Sequence, residues 1–299
     1  MKTFEINKIL VPTDFSETSM KAINYATELA KRTGAEITLL NVVETSYASV
    51  NTSFESIPKR IDYEEEIIKA SQEKLAELAD SKTEAEFPPF QIQTALGRTN
   101  LEIIAKSKEI GASIIVMGTH GVSGFRELMV GSNAYRVVAD ADCPVLTIQS
   151  TLKNGLFHKI LIPFNDRPHS REKVRYALQI AKIYGASVHI LGIDEEGTQK
   201  DTYKIAKEAE QIKAVADSKG IPCTIEVVSE NYYSNYLLNH AMETEADLIV
   251  EMRGMEKDNI TEYFKESIEK SLVNHSPIPI LTVKINFNPD TVNYHGYGW

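Results

Sequence analysis

The residues with the clearest chemical potential form a glycine-rich motif in the first half of the chain. The apolar run Ile114–Met117 leads into a Gly-x-x-Gly turn at Gly118 and Gly121, and nine residues later Gly131 and Ser132 open a helix-like pattern. Glycines let backbone N–H groups approach an anion closely, and the start of a helix adds unpaired donors and the positive end of its dipole. This spacing therefore indicates a cradle for a phosphate group.

Composition and charge narrow the classes of protein to which the chain can belong. Its 299 residues suffice for one large domain or two smaller ones, and its formal net charge is −10. That charge would repel phosphates at long range, so neither a nucleic acid nor an anionic membrane is expected as a partner. No apolar run reaches the roughly 18 residues that cross a membrane, and the N-terminus has no signal-type apolar core. We therefore expect a cytoplasmic location.

Strand and helix patterns alternate along the first half, which is typical of an α/β fold with a mostly parallel sheet. The first apolar run ends at an acidic residue, Asp14. The polar, serine-rich stretch Thr45–Pro58 is expected to be a loop or flap. The predicted strands are Ile9–Pro12, Ile37–Val43, Phe90–Leu96, Ile114–Met117 and Val145–Ile148, and the predicted helices are Ser19–Arg32, Tyr63–Ala79, a short one around Leu101–Ala105, and Ser132–Ala139.

The second half of the chain repeats the first. His158–Pro163 matches Asn7–Pro12 at a shift of 151 residues, and the same shift carries Gly34 onto Gly185. Near the end the shift falls to 135, so the second copy has lost a net 16 residues, most simply from the serine-rich loop. A repeat of this length has the size of a whole domain. We predict domains at 1–150 and 158–285, a linker at 151–157 and a tail at 286–299.

Each half resembles a domain of the universal stress protein family, and the whole chain resembles a tandem member of that family. The most specific match is the family's nucleotide signature, Gly-x-x-Gly, nine residues, Gly-Ser/Thr, placed after a buried strand. The resemblance implies two tandem doubly wound, five-stranded parallel-sheet domains of the Rossmann-like, adenine nucleotide alpha-hydrolase-like type. It also implies that the domains pair through their last strands as an intramolecular pseudo-dimer. A further homodimer of chains is left open.

The resemblance implies that the first domain binds ATP or a related adenine nucleotide, with Mg²⁺ as a candidate companion ion. The backbone at the end of the second strand, at Val42, would hold adenine. A carboxylate would repel a triphosphate, so Asp14 is assigned to accepting from hydroxyl or amino groups. No catalytic residue and no protein metal ligand is predicted. The implied nucleotide-binding residues are Pro12, Thr13, Asp14, Val42, Met117, Gly118, His120, Gly121, Gly131, Ser132 and Asn133.

Several of these residues also have simpler interpretations. The motif glycines could serve only a turn, and Ser132 could cap a helix. Asp14 could also cap the first helix, although Ser16 and Ser19 are better placed to do so. His120 has no neighbouring His, Cys or carboxylate in the sequence to orient it, which favours a neutral loop residue over a general acid or base.

The second copy departs from the nucleotide pattern. Glu251, Met252 and Arg253 occupy the turn after its fourth strand, and Asn165 replaces the strand-end acid. Lys265 or Glu266 falls at the position equivalent to Gly131, depending on a one-residue choice of alignment, and only the hydroxyl residue Ser267 survives. Side chains therefore fill the space that phosphates need. We predict that the second domain binds no ATP in the family's manner and is mainly structural, although Arg253, Arg167 and His169 leave room for another anion.

The sequence offers few other chemical motifs. It contains no Walker phosphate loop, no Gly-x-Gly-x-x-Gly after the first strand, and no Cys-x-x-Cys or His-Glu-x-x-His metal spacing. Its two cysteines, Cys143 and Cys223, each lie beside a proline where an apolar run begins, which favours buried free thiols. Three functions stay open: a nucleotide-binding stress-response or regulatory protein, a slow ATP-hydrolysing enzyme, and an interaction module that has lost its nucleotide.

Overall fold

The computed structural model describes residues 4–44, 57–82, 90–119, 132–149, 156–165, 170–194, 199–229, 233–253 and 276–284. The chain divides into two compact units, one built mainly from Ile6–Leu156 and the other mainly from Phe157–Leu272. No helix within these residues is both long and apolar enough to cross a membrane.

The first half is a parallel sheet with strand order β3-β2-β1-β4-β5. Its apolar runs form buried strands because both faces of the sheet are covered by helices. Its elements are β1 (Lys8–Pro12), α1 (Glu17–Thr33), β2 (Glu36–Val43), α2 (Ile57–Lys82), β3 (Gln91–Leu96), α3 (Thr99–Ile110), β4 (Ile114–Gly118), α4 (Ser132–Asp140) and β5 (Val145–Ile148).

The second half repeats this plan with strand order β10-β9-β6-β7-β8. The pairs β6–β7, β6–β9 and β7–β8 are parallel. The predicted α/β class with mostly parallel sheets is thus confirmed. Its elements are β6 (Lys159–Phe164), α5 (Val174–Tyr184), β7 (Ser187–Asp194), α6 (Gln199–Ser218), β8 (Cys223–Ser229), α7 (Tyr233–Glu243), β9 (Leu248–Met252) and β10 (Ile280–Val283).

The helix boundaries follow local sequence signals. Ser16 is the N-cap of α1, because its hydroxyl oxygen accepts from the backbone N–H of Ser19 at 3.2 Å. Gly34 ends the same helix in the left-handed conformation, with φ of 73° and its N–H donating to the Ala30 carbonyl. Gly185 ends α5 in the same way, with its N–H donating to Ala181. The two copies therefore share their helix-stop chemistry.

All four helices of the first half extend beyond their predicted bounds, and α2 and α3 do so by the most residues. Helix α2 begins at Ile57, so Pro58 belongs to its first turn and not to the loop. A proline is accommodated there because the first N–H groups of a helix have no intrahelical acceptor. Helix α3 extends to Ile110, where Gly111 adopts the left-handed conformation. The remainder of the predicted loop, residues 45–56, lies outside the described residues.

Candidate functional site

The candidate site of the first half lies where the strand order reverses. Strand β1 pairs with β2 on one side and with β4 on the other, so that Ile9 lies beside both Ile37 and Ile114. All three strands are parallel, and their carboxyl ends therefore meet at one edge of the sheet. In open α/β sheets this edge is where ligands bind. The fold thus brings Asp14, after β1, and Gly118, at the end of β4, to the same place.

A compact turn follows β1 and fixes the backbone before α1. The Thr13 N–H donates to the Leu40 carbonyl at 2.8 Å, and the Thr13 hydroxyl lies 3.0 Å from the Ser19 hydroxyl. The Phe15 N–H donates to the same Thr13 oxygen at 3.1 Å, and Phe15 adopts a positive φ of 63°. Thr13 is buried, so its hydroxyl shapes the turn. Pro12, the last residue of β1, is also buried.

Asp14 is the exposed polar residue of this turn. Its Oδ1 accepts from the Ser16 N–H at 3.0 Å, which orients the carboxylate. Because Ser16 is the residue that caps α1, Asp14 is not needed as a helix cap. The position of Asp14 at the sheet edge leaves its charged group accessible to a ligand.

A buried polar network supports the end of β2. The Asn41 amide donates to the Thr13 carbonyl at 2.7 Å and accepts from the Ser71 hydroxyl at 2.8 Å. Ser71 lies on α2, and its hydroxyl is also 3.0 Å from the Thr94 hydroxyl on β3. This network connects the turn after β1 to β2, and through β2 to α2 and β3. Ser71 and Thr94 carry no sequence signal for this role, because they come from distant parts of the chain.

Val42 and Met117 flank the site with apolar surface. Met117 is buried in a hydrophobic cluster that also contains Leu40 and Ile115, and half-buried Val42 packs against this cluster. Neither side chain can hydrogen-bond a nucleotide. Val42 could offer its backbone and its exposed apolar surface, whereas Met117 could offer only its backbone.

Gly118 lies in close contact with the start of α1. A Cβ atom at Gly118 would lie 2.9 Å from the carbonyl carbon of Thr18, closer than real Cβ atoms approach a backbone. The glycine therefore has a packing reason in addition to any role in a phosphate turn. Thr119 continues the strand end, with its N–H donating to the Ile148 carbonyl at 3.1 Å.

The remaining predicted site residues are only partly described. His120, Gly121 and Gly131 lie outside the described residues. Helix α4 begins at Ser132, and Asn133 is half-buried in its first turn. Of the predicted cradle, the described residues therefore include only the end of β4 and the start of α4.

The second half fills the equivalent positions with large side chains. The strand pairings place Met252 where the first half has Gly118, and Glu251 where it has Met117. Glu251 accepts from the Lys173 ammonium at 2.8 Å and from the Met252 N–H at 2.8 Å. The turn after β9 is thus preceded by a buried ion pair, whereas the equivalent strand end in the first half is apolar.

Comparison with known proteins identifies the family. The sequence profile of the universal stress protein family matches residues 5–149 and again residues 156–284. The chain therefore belongs to the universal stress protein family and carries two of its domains in tandem.

Individual universal stress proteins are also similar to this chain in sequence or structure. The universal stress protein YxiE of Bacillus subtilis (strain 168) is 34% identical over 146 residues, which are 48% of this chain and 99% of that protein. A universal stress protein of Methanocaldococcus jannaschii is 33% identical over 150 residues, 49% of this chain and 84% of that protein. The crystal structure of a universal stress protein from Archaeoglobus fulgidus has the same fold, with a TM-score of 0.71 at 24% identity, and the match covers 94% of this chain and 97% of that one.

Proposed function

We propose that the first domain binds ATP or a related adenine nucleotide and that this binding serves a regulatory role. The observation that carries the proposal is the meeting of Asp14 and Gly118 at the carboxyl edge of adjacent strands β1 and β4. The family's glycine signature follows β4 at this point. Phosphates bind where glycines and a helix start present backbone N–H groups, and the beginning of α4 at Ser132 supplies such a helix start.

Each described residue has a distinct part in the proposed site. Asp14 accepts hydroxyl or amino protons from the ribose or adenine, since its carboxylate is exposed and already oriented by the Ser16 N–H. Val42 lines the adenine position. Thr13 is placed by Asn41, whose amide holds its carbonyl. The parts assigned to Met117, Gly118, His120, Gly121, Gly131, Ser132 and Asn133 are contacts to the phosphates, and Mg²⁺ would accompany the nucleotide only in this domain.

The second domain is proposed to bind no adenine nucleotide in this manner. Its equivalent of Gly118 is Met252, and its equivalent of Asp14 is the uncharged Asn165. The buried Glu251 adds negative charge at the strand end, although Lys173 neutralises it. A phosphate would meet side chains where the first domain presents a bare backbone.

Exchange of the strand-end residues between the domains tests the proposal. In Asp14→Asn the side-chain oxygen can still accept the Ser16 N–H, but the charge is gone. Hydrogen bonds to charged groups contribute about 1.5–3 kcal/mol, so adenine nucleotide affinity should fall roughly 10- to 100-fold in titration calorimetry. The matched variant Asn165→Asp should leave it unchanged. Absence of ATP and AMP binding to the wild type at millimolar concentration would refute the proposal.

The identity of the nucleotide can be read directly. Denaturation of freshly purified protein should release one adenine nucleotide for each chain, and mass spectrometry should identify it. The control is the Gly131→Glu variant, which places a carboxylate in the proposed phosphate cradle and should release none. If the wild type carries a different ligand and the Gly131→Glu variant lacks it, the proposed site would stand but its ligand would belong to another chemical class.

We also propose that the two domains of one chain pair with each other, because family resemblance implies pairing and the chain carries two family domains. Truncation after residue 150 should leave an isolated first domain that self-associates through an unpaired last strand. A truncated domain that stays monomeric in analytical ultracentrifugation would contradict this pairing.

A further inference from the structure

A second group of chemically capable side chains lies in the second domain, away from its degenerate nucleotide turn. It consists of His189 on β7, Glu226 on β8 and His240 on α7, and we call it the His-Glu-His cluster. Strand pairing places His189 beside Thr224, and Glu226 is two residues further along the same strand. Residues two apart in a strand share one face of the sheet. His240 meets this face from the helix.

The distances within the cluster suit a metal ion. The Nε2 atoms of His189 and His240 are 3.0 Å apart, and each lies 3.8 Å from Oε2 of Glu226. The nearest point equidistant from these three atoms lies about 2.1 Å from each, which is within the bond lengths of about 2.0–2.2 Å that Zn²⁺ forms with imidazole nitrogen and carboxylate oxygen. The two rings face each other Nε2 to Nε2, with centroids 5.2 Å apart, so an ion bound at this point requires both rings to turn towards it. We propose that the His-Glu-His cluster is a binding site for a divalent transition metal ion, with Zn²⁺ as the best fit.

An outer hydrogen bond orients one of the ligands. His189 Nδ1 lies 2.8 Å from the Thr224 hydroxyl, and this contact turns the opposite nitrogen, Nε2, into the cluster. Metal-bound histidines characteristically use their second ring nitrogen in this way, which fixes both the tautomer and the ring orientation. Thr224 thus has the place of a positioning residue.

Burial and charge also favour coordination. His189 and His240 are 8% and 6% exposed, whereas 46% of the Glu226 side chain is exposed, so an ion can enter past the carboxylate. A carboxylate oxygen is a common ligand of Zn²⁺ and offsets part of the charge of the ion. Three protein ligands leave a further coordination position for water or a second molecule.

The cluster is specific to the second domain. The same strand pairings in the first domain place Thr38 at the position of His189 and Gln93 at that of Glu226. The turns that follow α3 and α7 also match, because the Ala112 N–H donates to the Ser107 carbonyl and the Ala246 N–H donates to the Ala241 carbonyl. By this alignment, Lys106 is the first-domain equivalent of His240. None of these three residues is a typical zinc ligand. The metal proposal is therefore independent of the nucleotide proposal.

Metal titration of the full chain tests the site. Protein stripped with a chelator should take up one Zn²⁺ in competition with a chromophoric indicator, and mass spectrometry of the metal should confirm one ion per chain. Thr224→Val should weaken binding roughly 10- to 100-fold, as loss of outer hydrogen bonds does, and His240→Gln should weaken it more. The exposed His158 provides the control, since His158→Gln should bind as the wild type does.

A substitution at the half-exposed Glu226 separates loss of metal binding from misfolding. Glu226→Gln should keep the wild-type circular dichroism spectrum but lose the rise in melting temperature that Zn²⁺ gives the wild type. A wild type that takes up no stoichiometric Zn²⁺ would overturn the proposal and leave the two imidazoles as a simple hydrogen-bonded pair. Equal losses in His158→Gln and His240→Gln would overturn it too, because they would indicate surface binding. Neither result would affect nucleotide binding by the first domain.

Discussion

Lys173 Nζ lies 2.8 Å from Glu251 Oε1 in the second domain, and both side chains are buried. The equivalent residues of the first domain are Ala22 and Met117, which are buried apolar residues. The same position between the first helix and the fourth strand is therefore held by an ion pair in one domain and by apolar packing in the other.

Breaking this ion pair from one side should strongly destabilise the second domain. Removal of one partner from a buried pair typically costs about 3–5 kcal/mol because the other charge is left uncompensated. We expect Glu251→Met alone and Lys173→Ala alone each to lower the melting temperature in circular dichroism. The double variant, which recreates the first-domain residues, should lose less than either single variant. A double variant as unstable as the sum of both would contradict this account.

The close approach of Gly118 to Thr18 predicts a second effect on stability. In Gly118→Ala the new methyl group would lie 2.9 Å from backbone that belongs to the start of α1, so the helix must shift. Overpacking of this kind costs about 1–3 kcal/mol. Urea denaturation should show this loss. Gly111→Asn is the comparison variant. Its side chain has open space, so its loss should come only from the strain of the left-handed conformation, which Asn tolerates better than most residues. Equal stability of Gly118→Ala and the wild type would show that α1 yields freely.

The network around Asn41 gives a prediction about coupling. Asn41→Ala removes the hydrogen bonds that the Asn41 amide makes to the buried Thr13 carbonyl and to the Ser71 hydroxyl. An unsatisfied buried polar group lowers the free energy of unfolding by about 1–3 kcal/mol. Ser71→Ala should cost less. Because the two residues share a hydrogen bond, the double variant should be more stable than the sum of the single effects predicts. Strict additivity in denaturant unfolding would show that the shared bond contributes nothing.

The sequence predicted the fold class and the repeat, and it predicted the ends of the elements less accurately. The strand at Val145–Ile148 has the predicted bounds, and the repeat at a shift of 151 was readable because Gly34 and Gly185 are helix stops in both copies. The helix ends were less accurate, since α2 begins at Ile57 and absorbs a proline that the pattern assigned to a loop. Local composition determines whether an element exists more strongly than where it ends.

Side-chain networks between distant elements could not be predicted. The three His-Glu-His ligands are separated by 37 and 14 residues, which matches no short metal motif. Only the parallel pairing of β7 with β8 and the packing of α7 bring them together. Ser71 likewise reaches Asn41 only because α2 packs against β2 in the folded domain. In the proposed nucleotide site, by contrast, Asp14 lies just after β1 and Gly118 is the last residue of β4, and the parallel fold alone places both at one edge.

The two cysteines yield a prediction about reactivity and pH. Burial raises the pKa of both Cys143 and Cys223 from 9.0 to about 11, and both are free thiols. Only the thiolate reacts readily, so native protein at pH 8 should be alkylated slowly by iodoacetamide, whereas denatured protein should take up two labels within the same time.

The same shift has a defined effect on stability. Because the folded-state pKa of each thiol is raised, the stabilisation is fully present below pH 9.0 and is lost as the pH rises toward about 11, where the unfolded chain has already released its protons. Cys143→Ala with Cys223→Ala should therefore show a smaller fall in melting temperature between pH 8 and pH 10.5 than the wild type. Rapid labelling of the native wild type at pH 8 would contradict both expectations.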